Sequence, residues 1–353
     1  MVVTPGMMEG PCDAYGFSLQ RRSPASETAS SSDAGEEARR RCEKREKKNR
    51  KRWETEWPRP VQVASQPSPS RTSSLGDWLR WRSLKAMCRE GIPPTLRGAL
   101  WFEASGASGE KERATADYGS LAEAGKEATN HQIDLDLPRT FPDHPFYQTA
   151  EGRAALRRVL VAVGAYCEAE GGYCQSMNYV AAFVLLAVDR DEERAFWIMA
   201  GMVKRKVLQD TWSERLLGCR VEMEALGTLL RKRDPKVAAH LAAIGCDVSY
   251  FATDWFLCLY CKSLPSETVA RVWDSFLLEG PKVLFRVALA ILGSCRGEIL
   301  SCGNPGDVVT VLRRAQVDLH DRCALMDQAF AVGSLPMAKI EKYRSRASVS
   351  APE

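Results

Sequence analysis

Arg139 and Gln175 are the two side chains whose types and settings suit work on a phosphoryl group. Arg139 lies in Ile133-Asp134-Leu135-Asp136-Leu137-Pro138-Arg139-Thr140-Phe141-Pro142, between apolar anchors and prolines. Leu137 precedes a proline and is biased toward extended backbone, so a helix reaching this point ends and leaves Arg139 near a turn. Gln175 follows Gly171-Gly172 and stands at the start of an apolar run. A guanidinium can stabilise charge that develops during phosphoryl transfer, and a carboxamide can orient an attacking water. Plainer readings stand beside these: the arginine solvated or paired with Asp136, the glutamine a local hydrogen-bonding residue at a helix N-terminus.

Apparatus for stand-alone catalysis does not accompany them. The stretch from Gly119 to Gly125-Lys126 looks like a phosphate loop, but five residues separate the glycines instead of four, Glu127 follows the lysine and no strand precedes it. Neither GxSxG nor HExxH occurs, and His131, His144, His240 and His320 are not spaced as zinc ligands or a triad. Asp134/Asp136 and Asp189/Asp191 read as solvated residues or caps rather than metal carboxylates. The lone CxxC, Cys258 to Cys261, sits in an apolar run without a second zinc-like pair, so its thiols read as buried helical cysteines. No metal or cofactor of the chain's own is expected. The arginine and glutamine can still serve a nucleotide held by another protein.

The elements that must position these side chains read as helices. Trp78, Trp81, Leu84 and Cys88 recur at helical spacing after Asp77, a candidate N-cap, and Gly91 with Pro93 ends that helix. Pro94 opens another helix, with Leu96, Leu100 and Trp101 for packing. Residues 107–130 are small and polar and read as loop with weak helix. Apolar spacing predicts helices over 154–166 and 175–188, then 194–208, 216–233, 235–244, 251–262, 266–278, 281–295, 306–315 and 319–331. Pro235, Pro265 and Pro281 fall at helix starts. No alternating run with hairpin chemistry competes, so the fold class is all-α.

Residues 1–74 are rich in Ser, Pro, Glu and Arg and are expected to be disordered. Within them, residues 39–52 carry ten Arg or Lys against Glu43 and Glu46, so the chain's formal +4 leaves the remainder slightly acidic. That run suits a solvated helix, a nuclear-type signal, a nucleic-acid contact or attraction to anionic lipid; a charged lead-in is the default. Twelve cysteines scattered without a secretory leader point to reduced thiols in the cytosol. The densest apolar run, from Tyr179 to Val188, is ten residues, well short of a membrane span.

Three ordered motifs carry a family resemblance. Arg89-Glu90-Gly91-Ile92-Pro93-Pro94-Thr95-Leu96-Arg97-Gly98-Ala99-Leu100-Trp101 resembles the RxGIPxxxRxxxW signature of TBC-domain Rab GTPase-activating proteins. Ile133 to Thr140 resembles their IxxDxxRT, and Tyr173-Cys174-Gln175 their YxQ. Trp255-Phe256 and the run from Arg271 through Trp273-Asp274 to Gly280 are similar to the family's later helices.

The resemblance, within residues 86–297, implies an all-helical TBC domain over 75–335, with 336–353 as a C-terminal tail. It implies that Arg139 and Gln175 act as fingers beside the GTP of a Rab-type GTPase, with GTP and Mg²⁺ belonging to that GTP-loaded partner. Asp136, Thr140, Tyr173, Ser176 and Asn178 would support them. Arg89, Gly91, Ile92, Pro93, Arg97, Trp101 and Trp255 would be structural, with Trp273 and Asp274 as core and cap. It further implies a cytoplasmic protein recruited to endomembranes, with indirect or electrostatic membrane association and nucleic acid disfavoured. One departure stands out: Ser176 occupies the place where the family motif continues with Gly. That opens the alternative of a catalytically weak or inactive Rab-binding scaffold.

Overall fold

The computed structural model describes residues 12–18, 30–56, 74–124, 127–204, 211–213 and 216–350. Helices are the only regular elements among them, apart from one isolated bridge between Cys12 and Ser18. The predicted helices appear as Ala150–Tyr166, Met177–Ala187, Glu192–Lys204, Leu217–Arg233, Pro235–Ala243, Ser249–Leu257, Ser266–Glu279, Lys282–Ser294, Pro305–Val317 and Arg322–Ala331. Proline punctuates them as its fixed φ requires: Pro235 opens its helix, and Pro265 and Pro281 immediately precede theirs. Residues 107–130 are more ordered than their polarity implies, forming helices Ala107–Arg113, Tyr118–Glu123 and the start of Glu127–Asp136. Each is too short to be stable alone; Ala107 and Leu121 are buried against the core.

That core centres on Met177–Ala187, Ser266–Glu279 and Lys282–Ser294, which bury almost every residue. Trp101, Phe183 and Trp273 meet in its middle, with Trp101 and Trp273 5.5 Å apart and Phe183 edge-on to Trp273 at 5.3 Å. Within this apolar setting lies one carboxylate, Asp274. It accepts from the Ile92 amide at 2.8 Å, from Arg97 Nε and Nη2 at 3.0 Å each, and from Trp101 Nε1 at 3.0 Å. Asp274 is therefore a mid-helix acceptor that unites both ends of the first motif, and the expectation that it caps a helix is corrected. The cap of Leu75–Glu90 is likewise Ser74, with Asp77 returning the bond as its third helical residue.

Part of the N-terminal stretch departs from the expected disorder. Helix α1, Ser30–Glu56, docks through Ala38, Cys42, Asn49 and Trp53, which recur along one face. Asn49 Nδ2 and Trp53 Nε1 both donate to the Gly91 carbonyl, at 2.5 and 3.0 Å. Glu46 accepts both bonds of the Arg322 fork and a further bond from Arg271. Burial pushes the Glu46 carboxyl up, but those two guanidiniums outweigh it and hold it down at about 2. Apart from Trp53 this face carries few large apolar residues, and ion pairs together with the Asn49 and Trp53 hydrogen bonds do much of the docking. The basic run thus belongs to a docked helix.

The C-terminal end also departs from expectation. The presumed tail forms the helix Met337–Ser350, which buries Ile340, Tyr343 and Ala347 and pairs Arg344 with the buried Glu222. Residues 1–11, 19–29 and 57–73 of the N-terminal stretch, and residues 351–353, lie outside the described residues.

Asp274→Asn preserves shape and removes charge, leaving the Arg97 guanidinium buried without a counter-ion. The expected loss is about 3–5 kcal/mol of unfolding free energy, read as a lower denaturation midpoint at unchanged slope.

Candidate functional site

Helix Glu127–Asp136 ends where Pro138 follows, and the chain continues as one 3-10 turn, Leu137–Arg139. Ile133 and Leu137 are buried and anchor the turn. Asp136, fully buried, accepts from Arg139 Nη2, from the Tyr173 hydroxyl and from Gln132 Nε2 at 3.2 Å. Its carbonyl accepts from the Thr140 hydroxyl at 2.8 Å. Arg139 meanwhile keeps 47% of its side chain exposed. One edge of the guanidinium is pinned to a buried charge, and the rest faces water.

The segment that carries Gln175 is tied to the same turn through Tyr173 and Asn178. Helix Ala150–Tyr166 ends at Cys167, and Gly171 and Gly172 turn the chain at φ +107° and +67°. Gly164 lets Tyr173 pack tightly on that helix: a Cβ there would lie 3.4 Å from Tyr173 Cβ. Tyr173 returns to Asp136, and burial followed by that carboxylate drives its phenol well above the ordinary range, so it stays protonated as a donor. Gln175 is exposed, two residues before helix Met177–Ala187, and its side chain makes no hydrogen bond among the described residues.

A buried polar chain joins the two segments. Asn178 Nδ2 donates to Thr140 Oγ1 at 2.6 Å, while Asn178 Oδ1 accepts from the Ser176 amide at 3.0 Å. Tyr179 closes the frame by donating to the Arg139 carbonyl at 2.9 Å. Asp136, Thr140, Tyr173, Ser176 and Asn178 are therefore brought together. Tyr179 and Gln132 join them without having been singled out; Tyr179 adjoins the third motif, and Gln132 stands one turn before Asp136.

Ser176 adopts φ +95°, ψ −24°, a left-handed conformation that glycine takes without strain. For serine it costs roughly 1–2 kcal/mol. The first-motif residues stand elsewhere: Arg89 pairs with Glu279, and Gly91, at φ +108°, leaves no room for a Cβ beside the Arg271 guanidinium. Trp255 donates to Gln316 at 3.1 Å and Trp273 to the Leu259 carbonyl at 3.0 Å, both as core residues.

The family model described as the Rab-GTPase-TBC domain matches residues 94–300. Growth hormone-regulated TBC protein 1-A of Danio rerio is 36% identical over 279 residues, spanning 76% of this chain and 78% of its own. The human growth hormone-regulated TBC protein 1 is 32% identical over 285 residues, spanning 78% and 83%. The crystal structure of the Chlamydomonas flagellar RabGAP TBC domain is similar at TM-score 0.74 and 37% identity, over 92% of this chain and 100% of that one. The Ypt/Rab-GAP domain of Gyp1p, at TM-score 0.61 and 19% identity over 77% and 98%, shares the fold.

Asn178→Ala leaves the Ser176 amide and the Thr140 hydroxyl short of a partner. A loss of about 1–3 kcal/mol is expected in chemical denaturation, with faster amide exchange at Ser176.

Proposed function

The chain belongs to the Rab-GTPase-TBC domain family, and from that premise we propose that it accelerates GTP hydrolysis by a Rab-type small GTPase. One observation carries this reading. Arg139 and Gln175 are the exposed ends of a frame whose connecting residues, Asp136, Thr140, Asn178 and Ser176, are buried and hydrogen-bonded. In this reading Arg139 neutralises charge developing on the γ-phosphate, and Gln175 orients the water. The partner brings the nucleotide and Mg²⁺; the chain contributes an arginine already oriented by Asp136 and a glutamine carried on a backbone segment fixed by Tyr173 and Asn178.

The second reading, a scaffold that binds the GTP-loaded GTPase without accelerating it, draws on strained Ser176. Single-turnover GTP hydrolysis over a Rab panel separates the two. Acceleration by the chain, reduced about 10³-fold or more by Arg139→Ala and poorly restored by Arg139→Lys, is the expected result. Gln175→Ala should also be strongly impaired. Nucleotide-dependent binding with no rate effect, and turnover gained only in Ser176→Gly, would establish the scaffold.

We further propose that the protein works at the cytosolic surface of endomembranes and is held there electrostatically. No described helix is long and apolar enough to cross a membrane. Lys44, Lys47, Lys48 and Lys51 lie exposed on the α1 face opposite Cys42, Asn49 and Trp53, at i, i+3, i+4 and i+7, without ion-pair partners among the described residues. Arg41, Arg45 and Arg52, nearer the docked face, are paired with Asp321, Asp327 and Glu90. Such a lysine stripe suits the phosphates of anionic lipid. Replacing all four lysines by glutamate is expected to weaken binding to phosphatidylserine vesicles at least about tenfold, with wild-type binding falling steeply as salt rises. Equal vesicle binding by both proteins, or stripe-dependent binding to a DNA duplex with none to vesicles, removes this reading.

A further inference from the structure

We propose that residues 12–18, which lie outside the matched family domain, are a positioning element for Arg139: a small turn that docks beside the finger segment and steadies it. For its catalytic readout this inference rests on the function proposed above.

The turn is closed by its own backbone. Asp13 Oδ1 accepts from the amides of Tyr15 and Phe17 at 2.9 and 3.0 Å, and the Asp13 amide donates to the Phe17 carbonyl at 2.9 Å. Gly16 makes the reversal at φ +84°, where a side chain would also press on His144. Asp13, Tyr15 and Phe17 are thereby presented to three different neighbours.

Asp13 accepts from the Ser266 hydroxyl at the head of helix Ser266–Glu279. The Tyr15 hydroxyl accepts from Arg97 Nη1 at 2.6 Å, which joins the turn to the Asp274 hub. Its ring packs 5.3 Å from Phe183, on the helix that follows Gln175. The Tyr15 carbonyl lies 2.8 Å from His144 Nε2, while His144 Nδ1 lies 3.2 Å from the Phe146 amide. Since that amide must donate, Nδ1 accepts and Nε2 carries the proton, so His144 is neutral with both nitrogens used. Burial, which lowers the His144 pKa, agrees.

Phe17 makes the contact nearest the finger. Its ring meets Phe141 edge-on at 5.1 Å and His144 at 4.6 Å. Phe141 stands two residues after Arg139 at φ +43°, a conformation that an aromatic residue holds only when its surroundings impose it. Tyr179 flanks Phe141 edge-on at 5.4 Å, and the same Tyr179 holds the Arg139 carbonyl. Phe17 and Tyr179 thus confine Phe141. A cavity of about 430 Å³ lined by Asp13, Phe17, Phe141, Phe183 and Ser266 lies alongside, so the packing around Phe141 is incomplete there and Phe17 supplies contact that the domain core does not.

The test uses the full chain carrying Phe17→Ala, Phe17→Leu or Tyr15→Phe. In single-turnover GTP hydrolysis titrated with activator, Phe17→Ala is expected to lower the saturating rate about tenfold while the half-saturating concentration stays within about twofold. This is the signature of misplacement rather than lost binding. Phe17→Leu, which retains bulk, should fall between, and Tyr15→Phe should lose a few-fold. Hydrogen exchange gives the second readout: the Thr140 and His144 amides, bonded to Leu137 and Phe141 carbonyls, should exchange about tenfold faster in Phe17→Ala with the core unchanged. An unaltered saturating rate, a change confined to half-saturation, or unaltered exchange at those amides overturns the inference. If the wild-type chain accelerates no GTPase, the proposed function fails, and exchange alone decides whether the turn steadies the Arg139 segment.

Discussion

The buried carboxylate of Asp274 is the interaction on which the architecture depends. A charge in an apolar core is tolerable only when its lone pairs are filled, and here the Ile92 amide, Arg97 and Trp101 fill them. Those donors lie some 180 residues away in sequence, so one side chain fixes the entry and the first turns of helix Pro94–Ser105 against helix Ser266–Glu279. Arg97 extends the network to Tyr15, while Gly91, backed against Arg271, gives its carbonyl to Asn49 and Trp53 of α1. The N-terminal pieces therefore assemble around the same corner as the domain core.

A second buried carboxylate, Asp136, uses the same chemistry for a different end. Arg97 and Asp274 are both out of water, and separating them would leave uncompensated charge worth several kcal/mol. Arg139 is about half exposed while Asp136 is buried, so water screens this pair from the arginine's side only. An arginine held this way is oriented without being committed. In the proposed function the solvent-facing part of its guanidinium is what meets a phosphoryl group, and Arg97 has no such open edge.

Legibility in the sequence followed hydrophobicity. Helices such as Met177–Ala187 and Lys282–Ser294 were readable because they bury Val, Leu, Ile and Phe on nearly all sides. Helix α1 was not, because Ala38, Cys42, Asn49 and Trp53 form a docking face too polar and too small to register as periodic. The turn at residues 12–18 offers only Asp, Gly and two aromatic residues as signals, and the helix Met337–Ser350 hides its buried Arg344 in a charged sequence. Within the site, Arg139 and Gln175 could be picked out by residue type and motif. The roles of Tyr179 as a clamp and of Asp274 as an acceptor within a helix could not.

By itself the sequence determined the helical class, the family, the break that Pro138 imposes before Arg139 and the placing of Gln175 after two glycines. All of these follow from local backbone preferences, apolar spacing and ordered motifs. Tertiary structure alone decided that Asp136, Thr140, Asn178 and Ser176 form one connected frame, that Ser176 carries a left-handed backbone, and that a distant N-terminal turn leans on Phe141. The physical reason is that a buried polar group must find its partner in space wherever the chain supplies one, and sequence separation says nothing about where that will be.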